Sequence, residues 1–217
     1  MPNDNLTMLN RRTFTRPITD SEDYFGQLSL VMAAMPHSKV EQVADKLFEA
    51  WLQGDKIFVF GNGGSAALAS HFATDLGKGT SAFGKHNRMK VMSFTDNVPL
   101  LTAWANDTSY DQVFAEQVRS FAQPNDIAFA ISGSGNSPNV IAGLQAAREA
   151  GAFTIGLGGF QGGKMKSLCD ICIVIPSDNM QIIEDLHTSV SHALFTLLCN
   201  RMQAQATTPQ AVAVGRR

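Results

Sequence analysis

Residues 57–76 read Ile-Phe-Val-Phe-Gly-Asn-Gly-Gly-Ser-Ala-Ala-Leu-Ala-Ser-His-Phe-Ala-Thr-Asp-Leu. Four apolar residues, Ile57 to Phe60, give the short unbroken run of a buried strand. Gly61-Asn62-Gly63-Gly64-Ser65 follows, and three glycines in five residues let the main chain turn sharply and approach a ligand closely. Past Ser65 the residues are mostly Ala and Leu, which favour helix. Strand, glycine turn and helix start, in that order, aim backbone N–H groups and a helix N-terminus at one place. Such a place suits an anion, above all a phosphate. The helix then carries His71 and Asp75 four residues apart, on one face. The turn matches neither G-x-x-x-x-G-K-[ST] nor a clean G-x-G-x-x-G, which argues against a nucleoside triphosphate or a dinucleotide.

The same grammar recurs downstream. Gln123-Pro124-Asn125-Asp126 turns into Ile127–Ile131, a continuous apolar run of the kind found in a parallel strand covered on both faces. Ser132-Gly133-Ser134-Gly135-Asn136-Ser137-Pro138 comes next, then a helix through Ala150 with Pro138 in its first turn. Three hydroxyls and further N–H donors, with no Lys or Arg, suit a small phosphate held by neutral donors at a helix N-terminus. A plain Ser/Gly linker would not sit between a buried strand and a capped helix. Short apolar runs near residues 90, 153 and 171 also alternate with helical stretches. The expected fold is therefore α/β, a three-layer sandwich with a five-stranded parallel sheet and helices on both faces. In such sheets ligands lie at the carboxyl ends of the strands, where both turns fall.

The rest of the chain fills in around these units. Residues 1–20 read as a loosely ordered N-terminus without a signal pattern. Residues 21–202 form the single expected domain, and residues 203–217 a disordered tail. Phe25, Leu28, Val31 and Met32 predict a first helix capped by Ser21 and ended by Pro36. Val40, Val43, Leu47 and Trp51 predict a second. Two helices ahead of the first strand exceed what one sheet face needs and leave a surface for another subunit. Gly77 to Lys85 reads as a flexible loop, either a mobile lid or a connector. A helix over Leu100–Ala105, broken at Asn106-Asp107, precedes another over Tyr110–Phe121. The last helix is expected from Gln181 to about Met202. With 217 residues, 44% apolar and 17% charged, the chain has a globular composition. A net charge of −2 gives no general attraction to nucleic acid or to an anionic membrane, and no apolar run reaches a membrane span. Cys169 and Cys172 stand at the entry to a strand and read as small core residues. With no second pair a zinc knuckle is disfavoured, and the expected compartment is the cytoplasm.

Taken together, Gly61-Asn62-Gly63-Gly64-Ser65, Asn106-Asp107, Ile131-Ser132-Gly133-Ser134-Gly135-Asn136-Ser137 and Gly162-Gly163-Lys164-Met165 resemble a sugar isomerase (SIS) domain, in its phosphoheptose isomerase branch. The resemblance covers roughly residues 20–202. It implies a flavodoxin-like sheet with extra N-terminal helices, and a homotetramer in which the two leading helices and the last helix build interfaces around the active sites. It implies that Ser65, Ser132, Ser134 and Ser137, beside the main chain of Gly63, Gly64 and Gly133, hold the phosphate of a sugar phosphate, and that Asn62 and Asp107 contact the sugar chain. The implied activity is aldose–ketose isomerisation, sedoheptulose 7-phosphate to D-glycero-D-manno-heptose 7-phosphate, with Asp75 as base and His192 as acid. In several members of the family the four aligned positions, here His71, Asp75, Glu184 and His192, bind zinc. Asp75 stands where Glu is usual and Glu184 where Gln is usual. Both keep oxygen donors, so two imidazoles and two carboxylates remain for zinc or another divalent metal. Glu184 and His192 lie eight residues apart, roughly 12 Å along a regular helix. On spacing alone Glu184 and His187 are the simpler pair. The resemblance favours His192, provided Glu184 lies at or before the helix start. Otherwise His187 reads as an exposed or interface histidine and His192 as a hydrogen-bonded core one. Two other readings stand beside the isomerase: a non-catalytic SIS tetramer that binds the DnaA replication initiator, and a metal-dependent SIS enzyme with a different sugar-phosphate reaction.

Overall fold

Each apolar run that follows a polar turn becomes a strand, and each becomes a parallel one. The computed structural model describes residues 17–83 and 88–207. The outer parts of the expected flexible ends, and the Gly84-Lys85 end of the expected loop, lie outside the described residues. β1 (Lys56–Gly61), β2 (Lys90–Ser93), β3 (Ile127–Ser132), β4 (Phe153–Gly158) and β5 (Ile171–Val174) form one sheet in the order β2-β1-β3-β4-β5, all paired parallel. Alternation along β1 sends Ile57 and Val59 to one face and Phe58 and Phe60 to the other, as strand geometry requires.

The first face is covered by α1 (Ser21–Ala33), α2 (His37–Gln53), α3 (Gly64–Thr74) and α8 (Met180–Thr207). Leu47, Phe72, Leu186 and Leu194 meet Phe129, Ile131 and Leu157 there. The second face is covered by α4 (Val98–Asp107), α5 (Ala115–Phe121), α6 (Pro138–Glu149) and the short α7 (Met165–Leu168). Its core is aromatic. Phe58 stacks on Phe94 with ring centroids 4.8 Å apart, and Phe60 tilts against Phe114 at 5.2 Å. Each such fully buried side chain contributes on the order of 2–3 kcal/mol of hydrophobic stabilisation before entropy is subtracted.

Several boundaries differ from the sequence expectation, each for a local reason. The cap of α1 is Asp20 rather than Ser21, because the Asp20 carboxylate accepts the Asp23 N–H at 2.8 Å. α4 runs through Asn106 and Asp107 and stops at Thr108. The stretch 110–121 divides into a 3-10 turn at Tyr110–Gln112 and α5. The described part of the expected loop, residues 77–83, is instead a π turn over Asp75–Gly79 followed by a 3-10 turn over Thr80–Phe83. The Phe195 ring of α8 lies against Gly79, so packing offsets the poor helix propensity of glycine. α8 begins at Met180 and continues past Met202 to Thr207.

The order β2-β1-β3 reverses the winding of the chain between β1 and β3. In open parallel sheets the crevice outside the strand ends at such a reversal is where ligands bind. The turn after β1, residues 62–65, and the turn after β3, residues 132–137, flank that crevice.

Candidate active site

The turn after β3 is folded tightly and braced from behind. Gly135, at φ 64°, reverses the chain. Its N–H donates to the Ser132 carbonyl at 3.1 Å and to Ser132 Oγ at 3.2 Å. Ser132 Oγ and Ser137 Oγ lie 3.4 Å apart, and the Asn136 N–H donates to Ser134 Oγ at 3.2 Å. The Gly162–Met165 segment supports this turn: Met165 N–H donates to the Gly135 carbonyl at 3.0 Å and Lys164 N–H to Asn136 Oδ1 at 3.1 Å. A Cβ on Gly163 would lie 2.5 Å from the Ser134 carbonyl oxygen, so main chain packs on main chain and only glycine fits. Neither α3, which starts after Gly63, nor α6, which starts after Ser137, has a side-chain cap. In their first turns the Ala66 N–H is taken by the Gly63 carbonyl and the Val140 N–H by Asn139 Oδ1, which leaves the Gly64, Ser65 and Asn139 N–H groups to face an anion. Ser65 is buried and packs against Gly61, where a Cβ would meet Ser65 Cβ at 2.8 Å and the Ile131 carbonyl oxygen at 2.6 Å. The two turns abut.

Farther along α3, three side chains converge. His71 Nε2 lies 2.9 Å from His192 Nε2 and 3.3 Å from Asp75 Oδ2. His192 Nε2 is 4.0 Å from the same carboxylate oxygen. One ligand atom from each of the three lies within 4.8 Å of the others. Two imidazole nitrogens at 2.9 Å must share one proton, one donating and one accepting, or face a common cation. The His71 and His192 side chains are 50% and 54% exposed, which leaves the cluster open to a substrate. His192 is thus no core histidine.

Glu184 does not join this cluster. It lies inside α8 rather than at or before its start, and its carboxylate sits over the glycine turn, where a Cβ on Gly64 would be 3.2 Å from Oε1. His187 is neither exposed nor at a surface. It is 1% exposed, the Gly158 carbonyl accepts from its ring, and burial pushes its pKa down to about 4. Its Nε2 has no hydrogen-bond partner among the described residues.

Gly64 faces Glu184, and His71 faces His192. α3 and α8 therefore run in the same direction, with two matched levels: an upper one at the helix N-terminus and a lower one at the His/Asp/His cluster. Asp107 is exposed at the end of α4, accepting from Asn106 Nδ2 at 2.8 Å. Asn62 is bonded to a residue that sequence reasoning passed over. Asn139, in the first turn of α6, exchanges two hydrogen bonds of 2.8 Å with it, and the Tyr110 hydroxyl donates to Asn62 Oδ1 at 3.1 Å. Neither Asn139 nor Tyr110 carries a local sequence signal beyond a polar residue after a helix start and an aromatic residue in a turn.

Comparison with known proteins places the chain as a whole. The family model described as the SIS domain matches residues 23–159. The probable phosphoheptose isomerase of Thermoplasma acidophilum is 38% identical over 180 residues, spanning 82% of this chain and 97% of that protein. The phosphoheptose isomerase of Pelobacter propionicus is 40% identical over 170 residues, spanning 78% and 88%. Among solved structures, the phosphoheptose isomerase of Neisseria gonorrhoeae superposes with a TM-score of 0.75 at 28% identity, over 84% of this chain and 96% of that one. The phosphoheptose isomerase from Francisella tularensis gives 0.74 at 27%, over 82% and 96%. The family match, the identities and the shared five-stranded architecture all run over most of the sequence, and the chain belongs to the SIS-domain family, in its phosphoheptose isomerase branch.

Proposed function

We propose that this chain interconverts sedoheptulose 7-phosphate and D-glycero-D-manno-heptose 7-phosphate. The observation that carries the reading is the two-level arrangement along α3: uncapped N–H groups and serine turns at one end, and the His71, Asp75 and His192 cluster at the other. Seven residues of α3 separate Gly64 from His71, a rise of roughly 10 Å. An open-chain sugar with its phosphate at one end and its carbonyl at the other spans such a site. Ser65, Ser132, Ser134 and Ser137 hold the phosphate with the main chain of Gly63, Gly64 and Gly133. Asn62, Asp107 and Glu184 line the path of the hydroxyls.

The chemistry then follows from the cluster. Asp75 removes a proton from C1 of the ketose while His192 protonates the carbonyl oxygen on C2, giving an enediol. His192 takes back the proton of the C1 hydroxyl as Asp75 delivers its own to C2, leaving an aldehyde at C1. No net proton is consumed, and each transfer is general acid–base catalysis. His71 Nε2, 2.9 Å from His192 Nε2 and 3.3 Å from Asp75 Oδ2, bonds one of them at a time and holds that one in place.

We propose zinc, or another divalent cation, at His71, Asp75 and His192. Two imidazole nitrogens and a carboxylate oxygen converging on the substrate side of a helix are the donor types zinc takes. A cation bound there would occupy the facing Nε2 atoms, and would then itself polarise the carbonyl and stabilise the developing enediolate charge in place of a proton on His192. We further propose that the chain forms a homotetramer and works in the cytoplasm. Exposed Phe25, Leu30 and Met32 on α1 supply apolar surface for the assembly, and the free thiols of Cys169, Cys172 and Cys199 accord with a reducing compartment. No helix among the described residues is long and apolar enough to cross a membrane. A purely binding role is not favoured, because the side chains that do the chemistry are present and converge. The test is to incubate the purified protein with sedoheptulose 7-phosphate and other ketose phosphates and follow isomer formation by NMR. Formation of the aldose 7-phosphate is expected; no turnover of any substrate would overturn the isomerase reading.

A further inference from the structure

A side-chain amide has two N–H donors and an oxygen with two acceptor positions, and its two arms are told apart by their partners. Asn139 is 1% exposed. Its Oδ1 accepts the Val140 N–H at 2.9 Å, and a main-chain N–H can only donate, so the oxygen arm of Asn139 is fixed. Every other bond in the group follows. Asn62 Nδ2 donates to Asn139 Oδ1 and Asn139 Nδ2 donates to Asn62 Oδ1, both at 2.8 Å. The Tyr110 hydroxyl donates to Asn62 Oδ1 at 3.1 Å. Both acceptor positions of the Asn62 oxygen are therefore filled, and one of its two N–H groups is used. A single N–H remains, on a half-buried side chain at the mouth of the crevice between β1 and β3.

We infer that Asn139 is a positioning residue which, with Tyr110, holds the Asn62 amide so that it offers the substrate one N–H donor and no acceptor. The group on the sugar that meets Asn62 must then present an oxygen as acceptor. The pair also ties the turn after β1 to the turn after β3, and Tyr110 adds the segment that follows Asp107. Three pieces of main chain that carry substrate contacts are thus set relative to one another by one amide dimer. The substrate half of this inference rests on the isomerase reading; the orientation of the amide does not.

Two variants test it. Asn139→Leu removes the pair. Asn139→Asp keeps the size but sets an acceptor opposite the Asn62 oxygen, removing the bond from Asn139 Nδ2 while the bond from Asn62 Nδ2 stays possible, without leaving a cavity. In the wild-type protein, labelled with 15N, one Asn62 side-chain proton should exchange slowly with solvent and the other fast. In Asn139→Leu both should exchange fast, whereas Asn139→Asp should keep one slow and lose only the acceptor side of the pair. Both variants should lower kcat/KM by about 10- to 100-fold, the cost of a misplaced contact. Combined with Asn62→Ala, they should add no further loss beyond about twofold, since Asn139 acts through Asn62. A residue that merely supported the fold would lower kcat/KM equally in both backgrounds. Additive losses, or two rapidly exchanging Asn62 protons in the wild type, would overturn the inference. If the wild type turned over no ketose phosphate, the isomerase reading would fall, and the exchange pattern alone would still decide how Asn62 is held.

Discussion

Replacing Gly135 with Ala should damage both stability and phosphate binding. Gly135 sits at φ 64°, where a residue with a Cβ is disfavoured by about 1–2 kcal/mol. The added Cβ would lie 2.1 Å from the Gly162 carbonyl oxygen and 2.7 Å from the Gly162 carbonyl carbon. Ordinary carbon–oxygen contacts begin near 3.3 Å, so one main chain must retreat from the other by roughly 1 Å. No side-chain rotation relieves this overlap, and forced overpacking of this kind costs about 1–3 kcal/mol. The sum is on the order of 3 kcal/mol, which lowers Tm by roughly 6–12 °C in a domain of this size. The turn that must shift carries Ser134, and it receives the Met165 N–H on the Gly135 carbonyl. A misplacement of about 1 Å can cost on the order of a hundredfold, and here the loss should appear mainly as a raised KM, because the phosphate is bound in ground state and transition state alike. Differential scanning calorimetry with and without inorganic phosphate, followed by steady-state kinetics, would read both effects. A variant with wild-type Tm and wild-type KM would refute the reasoning, since the two glycine segments could not then be in contact in the folded protein.

His192→Ala should lower kcat by about 10²–10⁴-fold, as loss of a general acid does, while changing stability by no more than about 0.5 kcal/mol, because the side chain is 54% exposed. Stoichiometric zinc by elemental analysis should be lost in the same variant. Stability should fall in acid through His187. Burial holds its pKa at about 4 against 6.5 for the free side chain, so below pH 6.5 the unfolded chain takes up a proton that the folded chain refuses. The contribution is fully present above pH 6.5 and declines by about 3 kcal/mol as the pH approaches 4; urea unfolding across that window should show the slope, and His187→Gln should flatten it. Across ketose phosphates of five, six and seven carbons, kcat/KM should rise with chain length, because the two levels on α3 and α8 are a fixed distance apart. A flat series would show that the phosphate turn and the cluster do not grip one extended molecule.

The strands and both turns were legible in the sequence because their signals are local: unbroken apolar runs followed by glycine or serine where a strand meets a helix. The residues misread are those whose fate depends on packing. Gly77 and Gly79 resemble a loop because glycine is a poor helix former, yet they continue α3 as a π turn, with Gly79 against the Phe195 ring. His187 was legible but misjudged. It shares a helical stripe with Ile183, Val190 and Leu194, all buried, so the 3.6-residue period already placed it inward. Asn139 had no such signal. A buried polar residue in the first turn of a helix looks like one more capping group until its partner, on a different strand-to-helix turn, is known.

The placement of Glu184 follows from helix direction. Had α3 and α8 packed antiparallel, the residue facing Gly64 and the residue facing His71 would come in the opposite order along α8. Parallel packing puts Glu184 at the upper level and His192 at the lower. Seven residues of α3 then match eight of α8, roughly 10 Å against 12 Å of rise, so each level keeps its own pair. α8 is unbroken from Met180 to Thr207, and the Glu184 carboxylate turns to Gly64 while His192 turns to His71. The cluster is accordingly built from His71 of α3, Asp75 of the π turn that continues it, and His192 of α8. The Glu184 carboxylate is left beside the N-terminus of α3, over Gly64, where its charge is favoured by the positive end of the helix dipole.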